Sequence, residues 1–245
     1  MLTTLLVVSN LVVAVALILA LREIQRRRER RKLQGLFGPW PIRKVDVDQF
    51  DSRFALGDLG PSKDSEIRFV PTYHVPEGIG DFETWVICNL AKDARTIFEF
   101  GTGTGKTTYL LALNSPPEAR ITTLTLPMAE QGHQGRFYYE GSEVAGKIEQ
   151  QLADSKTFDE APREAAFDLV FVDGGHTRSY VENDSRKALR MVKPGGFIIW
   201  HDYLGRRVKD VFEVLNELSR ERSTSYIWRI RPSSPTARHR GSSPR

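Results

Sequence analysis

Short apolar runs that alternate with helical stretches constrain the fold of this 245-residue chain more than any other feature. Strands are predicted over 96–100, 121–126, 148–152, 167–173, 197–200 and 225–230. Helices are predicted over 81–92, 106–114, 177–192 and 208–220. Because apolar strands joined through helices form parallel sheets that are covered on both faces, the pattern predicts an α/β fold with a doubly wound, mostly parallel sheet. In such a sheet, ligands bind at the carboxyl ends of the strands.

Residues 2–21 form an apolar run without a charged side chain. Twenty helical residues extend roughly 30 Å, the thickness of the hydrocarbon core of a bilayer. A cleaved signal peptide would carry positive charge before the apolar run, whereas here a dense arginine block follows it from Arg22 onward. The sequence therefore predicts an uncleaved transmembrane helix. The positive-inside rule places its N-terminus outside and the rest of the chain at the cytoplasmic face of the membrane.

The basic charge of the chain lies near its two ends. Residues 22–32 hold seven and residues 229–245 hold five of the 35 Lys and Arg, so the remainder has more acidic than basic side chains. A domain that binds nucleic acid needs a basic face, which argues against a nucleic-acid partner. The predicted organisation begins with an anchor over 1–21, followed by a basic juxtamembrane helix and connector over 22–65. The main domain covers 66–230, and a disordered basic tail covers 231–245.

A glycine-rich loop follows the first predicted strand of the main domain. In EFGTGTGKTT (99–108), glycines alternate with threonines before the predicted helix. Such a loop lets a ligand approach the backbone N–H groups and the N-terminus of the helix closely. The run Gly105-Lys106-Thr107 also matches the end of a phosphate-binding loop, but that motif requires glycine where Phe100 stands. The loop favours nucleoside binding, and a phosphate-loop nucleotidase is the weaker alternative.

Together with LADS (152–155), FVDGGH (171–176) and KPGGFIIWHDY (193–203), this loop resembles class I S-adenosylmethionine-dependent methyltransferases. The resemblance covers about residues 75–230 and is closest to the branch with macrolide sugar and rhamnosyl O-methyltransferases and cephalosporin-hydroxylase-like proteins. It implies a Rossmann-like fold, S-adenosylmethionine as the cofactor and methyl transfer to a sugar hydroxyl of a glycan, a glycolipid or a natural product. The predicted anchor and cytoplasmic face favour a lipid-linked glycan or a glycolipid as the acceptor. The resemblance is also compatible with assembly into a homo-oligomer.

The resemblance also implies site residues. Contacts to the cofactor are expected from Glu99, Gly101, Thr102, Gly103, Gly105, Thr125, Asp154, Ser155 and Asp173. His176 is expected to be the general base, and Asp173 and Asp202 are expected to bind Mg²⁺ or another divalent cation. His201, Glu182 or water would fill the third ligand position. Two carboxylates at neighbouring strand ends can share one cation, and a hydroxyl bound to that cation loses its proton more readily.

One residue departs from the pattern of related enzymes. Where they carry an acidic residue that binds the ribose, this chain has Thr125. A threonine hydroxyl lacks the strength of a charge-assisted hydrogen bond, so its affinity for the cofactor would be lower by about 1–3 kcal/mol. Glu130 is a candidate substitute. A catalytically inactive binding or scaffold protein at the membrane is therefore the alternative function.

Overall fold

The computed structural model describes residues 13, 15–25, 42–57, 60–71, 79–127, 136–203, 209–221 and 228–231. The chain divides into two compact units, Met1–Arg43 and Lys44–Arg245. In the first unit, residues 15–25 are helical and carry exposed large apolar side chains. Among the described residues, no helix has both the length and the hydropathy needed to cross a membrane. The predicted anchor over 2–21 falls mostly outside the described residues.

Small elements precede the main sheet of the second unit. They are β1 (Arg43–Asp46), α1 (Val47–Phe50), β2 (Leu56–Gly57) and β3 (Gly60–Pro61). Strands β2 and β3 form an antiparallel hairpin. Short regular elements therefore lie within the predicted connector.

A five-stranded sheet forms the centre of the second unit. Its strands are β4 (Thr96–Phe100), β5 (Arg120–Thr125), β6 (Ile148–Leu152), β7 (Phe167–Val172) and β8 (Val192–Trp200). They lie in the order β6-β5-β4-β7-β8, and every pairing is parallel. The chain adds strands on one side of β4 and then on the other, which is the doubly wound arrangement. The prediction of a Rossmann-like α/β fold is confirmed.

Helices cover both faces of this sheet. They are α2 (Asp81–Ala91), α3 (Lys106–Asn114), α4 (Arg178–Met191) and α5 (Lys209–Glu221). On one face, Ile97 of β4 packs in a cluster with residues of α2 and α3. On the other face, its neighbour Phe98 packs in a cluster with Met191 of α4. Successive strand residues thus enter opposite cores, which explains the continuous apolar runs in the sequence.

Two strand predictions need correction. The strand predicted over 197–200 begins earlier, at Val192, so Pro194-Gly195-Gly196 lies within β8. Phe167 pairs with Val192, but Leu169 pairs with Phe197. The extra residues of β8 form an irregular bulge between these pairs, in which Gly195 adopts φ +81°. The last strand, β9 (Trp228–Arg231), pairs with β1 and not with the main sheet. Strand propensity does not specify the partner of a strand, because pairing depends on contacts outside the run.

A charged side chain joins three strands at their amino ends. The carboxylate of Asp168 on β7 accepts hydrogen bonds from the N–H groups of Arg95 and Thr96, both at 2.9 Å. It also accepts from Lys193 Nζ in the bulge at 2.8 Å. Although burial opposes the charge, these bonds lower the pKa of Asp168 to about 2. Asp168 therefore holds β4, β7 and β8 together at the edge opposite the glycine loop.

We expect Asp168→Asn to lower the free energy of unfolding at pH 7 by about 1–3 kcal/mol, because the bonds to a charged acceptor are lost. The loss of unfolding free energy relative to the wild type should be complete above pH 4 and should shrink as the pH falls toward 2. The reason is that the Asp168 carboxyl has a lower pKa in the folded state than in the unfolded state. Urea unfolding across this pH range measures it. Asp93→Asn, at an ion pair in which the Asp93 side chain is 74% exposed, is the control with little effect. Equal effects of both substitutions would contradict the assignment.

Candidate active site

The glycine loop lies at the carboxyl end of β4, where the chain enters α3. Gly101, Gly103 and Gly105 have φ values of +95°, +51° and +80°. A Cβ atom at Gly101 would lie 2.1 Å from the carbonyl oxygen of Asp173, so this glycine permits direct contact between the loops after β4 and β7. At Gly103 an added Cβ would meet nothing within 4 Å. The loop therefore has a structural glycine and a glycine that borders open space.

A buried polar network underlies this loop. Glu99 is fully buried, and its Oε2 accepts hydrogen bonds from Thr108 and, at 2.6 Å, from Thr123. The Oγ1 of Thr102 lies 2.8 Å from that of Thr123 and accepts from Gln150 Nε2 at 3.2 Å. Burial raises the pKa of Glu99 to about 8 in spite of these donors. Among the described residues, none hydrogen-bonds to Glu99 Oε1, which leaves one acceptor under the loop.

Two tyrosines, Tyr138 and Tyr139, lie against the loop. Tyr139 is buried, stacks on Phe137 and donates from its hydroxyl to Gln150 at 2.6 Å. The backbone N–H of Tyr138 donates to the carbonyl oxygen of Thr104 at 2.9 Å, while its side chain stays 40% exposed. Tyr139 thus packs beneath the loop, and Tyr138 remains accessible beside it.

Acidic and imidazole side chains converge at the ends of β7 and β8. His201 Nδ1 lies 2.9 Å from Asp173 Oδ1 and 3.3 Å from Asp202 Oδ2. His176 Nε2 lies 3.0 Å from Asp202 Oδ2 and 3.8 Å from Asp173 Oδ1. Asp202 adopts φ +59°, a strained conformation for a residue other than glycine, and such strain is typical of functional sites. The structure thus brings together the four residues that the sequence placed at two strand ends.

The charges of this cluster depend on one another. Asp173 and Asp202 raise the pKa of His176 to about 9, and by distance Asp202 is the closer partner. For His201, burial opposes the charge, but Asp173, Asp202 and Glu83 raise its pKa to about 12. The two imidazoles hold the pKa of Asp202 well below its usual range. In the absence of a cation, the two aspartates therefore favour the protonated form of both histidines.

The donor set fits a divalent cation. Asp173, His201 and Asp202 each offer one ligand atom, and these atoms lie within 4.8 Å of one another. Two carboxylate oxygens and one imidazole nitrogen are ligands typical of manganese, iron or zinc, whereas Mg²⁺ prefers oxygen. The alternative third ligand, Glu182, instead pairs with Arg186 at 3.1 Å on α4. Of the two protein candidates, the geometry favours His201.

The remaining predicted cofactor residues lie at the ends of β5 and β6. The carbonyl oxygen of Thr125 accepts from the N–H of Ala153 at 2.9 Å. The carboxylate of Asp154 accepts from the hydroxyl of Tyr180 at 3.1 Å. The carbonyl oxygen of Ser155 accepts from Lys187 Nζ at 2.8 Å. Glu130, the candidate substitute for the missing acid, lies outside the described residues.

Some residues of the site are not predicted from the sequence. Gln150 and Thr123 are polar residues within strands, and their part in the network depends on the register that places them opposite each other. Glu83 lies in the first turn of α2, far from the site in sequence, and its carboxylate lies 3.4 Å from His201 Nε2. The run Gly80–Glu83 carries a helix-start signal, but nothing in it predicts contact with residue 201.

Comparison with known proteins matches residues 98–203, a little under half of the chain, to the family model described as a methyltransferase domain. The matched segment contains both the glycine loop and the histidine-aspartate cluster. It supports an enzyme that is an S-adenosylmethionine-dependent methyltransferase. No curated protein matches the sequence.

Solved structures with a similar fold include O-methyltransferases. An enzyme of tomaymycin synthesis from Streptomyces achromogenes, in complex with S-adenosylmethionine, is 23% identical with a TM-score of 0.43, covering 60% of this chain and 72% of that one. A Bacillus cereus O-methyltransferase in complex with S-adenosylhomocysteine is 20% identical with a TM-score of 0.47, and the match covers 61% of this chain and 74% of that one. A methyltransferase from Podospora anserina with bound S-adenosylhomocysteine is 16% identical with a TM-score of 0.48, and the match covers 60% of this chain and 70% of that one.

We expect Gly103→Ala to fold with only a small loss of stability, from the strain of a side chain at φ +51°. It should bind S-adenosylmethionine at least about tenfold more weakly, because the added methyl group occupies space beside the loop that the cofactor would fill. Calorimetry measures the affinity, and thermal melting measures the fold. Gly101→Ala is the matched comparison, and it should lower the melting temperature, since its Cβ would overlap the backbone at Asp173. Unchanged affinity in Gly103→Ala would contradict the placement of the cofactor.

Proposed function

We propose that this protein is a membrane-anchored O-methyltransferase that transfers the methyl group of S-adenosylmethionine to a sugar hydroxyl with the help of a divalent cation. The contact between Gly101 and Asp173 carries the proposal, because it places the glycine loop directly beside the histidine-aspartate cluster. A methyl donor held by the loop and a hydroxyl held by the cluster would then be neighbours.

The residues of this chain perform two tasks in the proposed reaction. The glycine loop and Glu99 orient the cofactor so that the hydroxyl oxygen attacks the sulfonium methyl group in line, and such alignment supplies much of the rate enhancement. His176 accepts the proton of the hydroxyl, since it is the partly exposed imidazole of the cluster. The products are a methyl ether and S-adenosylhomocysteine, and the proton remains on His176 until solvent removes it.

His176 must be neutral to act as the base, whereas the two carboxylates keep it protonated. When bound to Asp173, His201 and Asp202, a divalent cation would offset that negative charge and acidify a hydroxyl in its coordination sphere. The requirement for a neutral base therefore supports a metal-assisted reaction.

We expect His176→Ala to lower turnover by about 10²- to 10⁴-fold, the usual contribution of general-base catalysis, with little change in affinity for S-adenosylmethionine. Transfer of a labelled methyl group to a panel of sugars and glycolipids measures turnover, and calorimetry measures affinity. Arg136→Ala, which removes an exposed ion pair with Glu140, is the control. Unchanged turnover in His176→Ala would show that another group accepts the proton.

The membrane anchor is part of the proposal. It is supported by the uncharged run over 2–21, the arginine block after it and the exposed apolar side chains of Leu17 and Leu19. An anchored enzyme at the cytoplasmic face suits a lipid-linked glycan or a glycolipid.

We expect the full-length chain to sediment with membranes and to resist extraction at high salt. A chain that lacks residues 1–21 should become soluble at high salt, because its arginine block alone binds anionic headgroups only electrostatically. Fractionation followed by immunoblotting measures the distribution. Full-length protein in the soluble fraction would contradict the anchor.

A catalytically inactive methyltransferase-fold protein is the second candidate. Thr125 favours it, because this residue stands where related enzymes use a carboxylate to bind the ribose. In that case the folded chain would bind neither S-adenosylmethionine nor its demethylated product.

A further inference from the structure

The imidazole of His201 has a different environment at each of its nitrogens. Nδ1 faces Asp173 at 2.9 Å and Asp202 at 3.3 Å. Nε2 faces Glu83 of α2 at 3.4 Å. The side chain is largely buried, so the ring is held between the strand ends on one side and the start of α2 on the other.

We propose that Glu83 keeps a proton on Nε2 of His201, so that Nδ1 joins Asp173 and Asp202 in a site that selects a divalent transition metal such as Mn²⁺ over Mg²⁺. The inference rests on the proposed metal-assisted function and names the metal class and a residue that positions its ligand. Glu83 acts through His201 and is therefore a positioning residue.

The carboxylate of Glu83 is oriented by the helix that carries it. Glu83 is the third residue of α2, and its Oε2 accepts a hydrogen bond from the N–H of Gly80 at 2.9 Å. The same oxygen faces His201 Nε2. A carboxylate that accepts from one imidazole nitrogen fixes the tautomer and directs the lone pair of the other nitrogen toward a metal. Here that other nitrogen is Nδ1, which points at the two aspartates.

The identity of the ligand atoms determines the metal preference. Mg²⁺ is held by oxygen ligands and retains water, whereas imidazole suits the transition metals. Asp173 and Asp202 alone would suit either class of metal. The nitrogen of His201 shifts the balance toward Mn²⁺, and the shift requires that Nδ1 carry no proton.

Replacement of Glu83 by glutamine separates its two roles, which are to cap the start of α2 and to face Nε2 of His201 with a negative charge. At the third position of a helix, glutamine accepts the capping hydrogen bond as glutamate does, so Glu83→Gln preserves the start of α2. It removes the negative charge that faces Nε2. Asp81→Asn removes a charge from the same helical turn and is the matched control.

The test uses the full-length protein in detergent, with Mn²⁺ measured by electron paramagnetic resonance and Mg²⁺ by competition. Glu83→Gln should weaken Mn²⁺ binding by about 10- to 100-fold, the usual effect of losing the partner of a histidine ligand. Asp81→Asn should change it by less than about twofold. His201→Glu, which replaces nitrogen with oxygen, should reduce the ratio of Mn²⁺ to Mg²⁺ affinity by at least about tenfold.

Specific outcomes would overturn the inference. Unchanged Mn²⁺ affinity in Glu83→Gln would refute the positioning role, and an unchanged affinity ratio in His201→Glu would refute the selectivity. A chain that binds S-adenosylmethionine but neither metal would refute the metal site and leave a metal-independent methyltransferase. A folded chain that binds neither cofactor nor metal would refute the proposed function as well.

Discussion

The contact of two backbones at the carboxyl edge of the sheet determines the geometry of the candidate site. Gly101 follows β4 and lies against the carbonyl group of Asp173, which follows β7. The N–H of Asp173 donates to the carbonyl oxygen of Phe100 at 2.8 Å, so the parallel pairing of the strands continues into the loops. Any side chain at position 101 would separate the glycine loop from the histidine-aspartate cluster. The proximity of the two halves of the site therefore depends on a glycine.

The electrostatics of the cluster support the proposed role of a divalent cation. Two aspartates and two histidines compensate one another, and both imidazoles are protonated as a result. This balance stabilises the cluster, but it leaves no neutral base at physiological pH. A cation that competes with the protons for the aspartates would change this balance, and the positive φ of Asp202 agrees with a place in a functional site.

Much of the fold could be predicted because its central strands are buried on both faces and its helices begin and end at strong local signals. Helix Lys106–Asn114 and strand Ile148–Leu152 have the predicted bounds. The bulge in β8 and the pairing of β9 with β1 could not be predicted, since both depend on contacts between distant segments. In the site, residues after strand ends were predictable because parallel strands bring their carboxyl ends together. Glu83 was not, because it reaches His201 from a helix outside that rule.

The affinity of the full-length protein for S-adenosylmethionine and S-adenosylhomocysteine, measured by calorimetric titration, is the decisive test of the proposed cofactor site. We expect one site with micromolar affinity, because the glycine loop, Glu99 and the start of α3 are in place although Thr125 stands where a carboxylate is expected. Binding of S-adenosylhomocysteine should be similar, since it shares every group except the methyl. A chain that circular dichroism shows to be folded, yet that binds neither compound, would refute the cofactor site and favour a scaffold without catalytic activity.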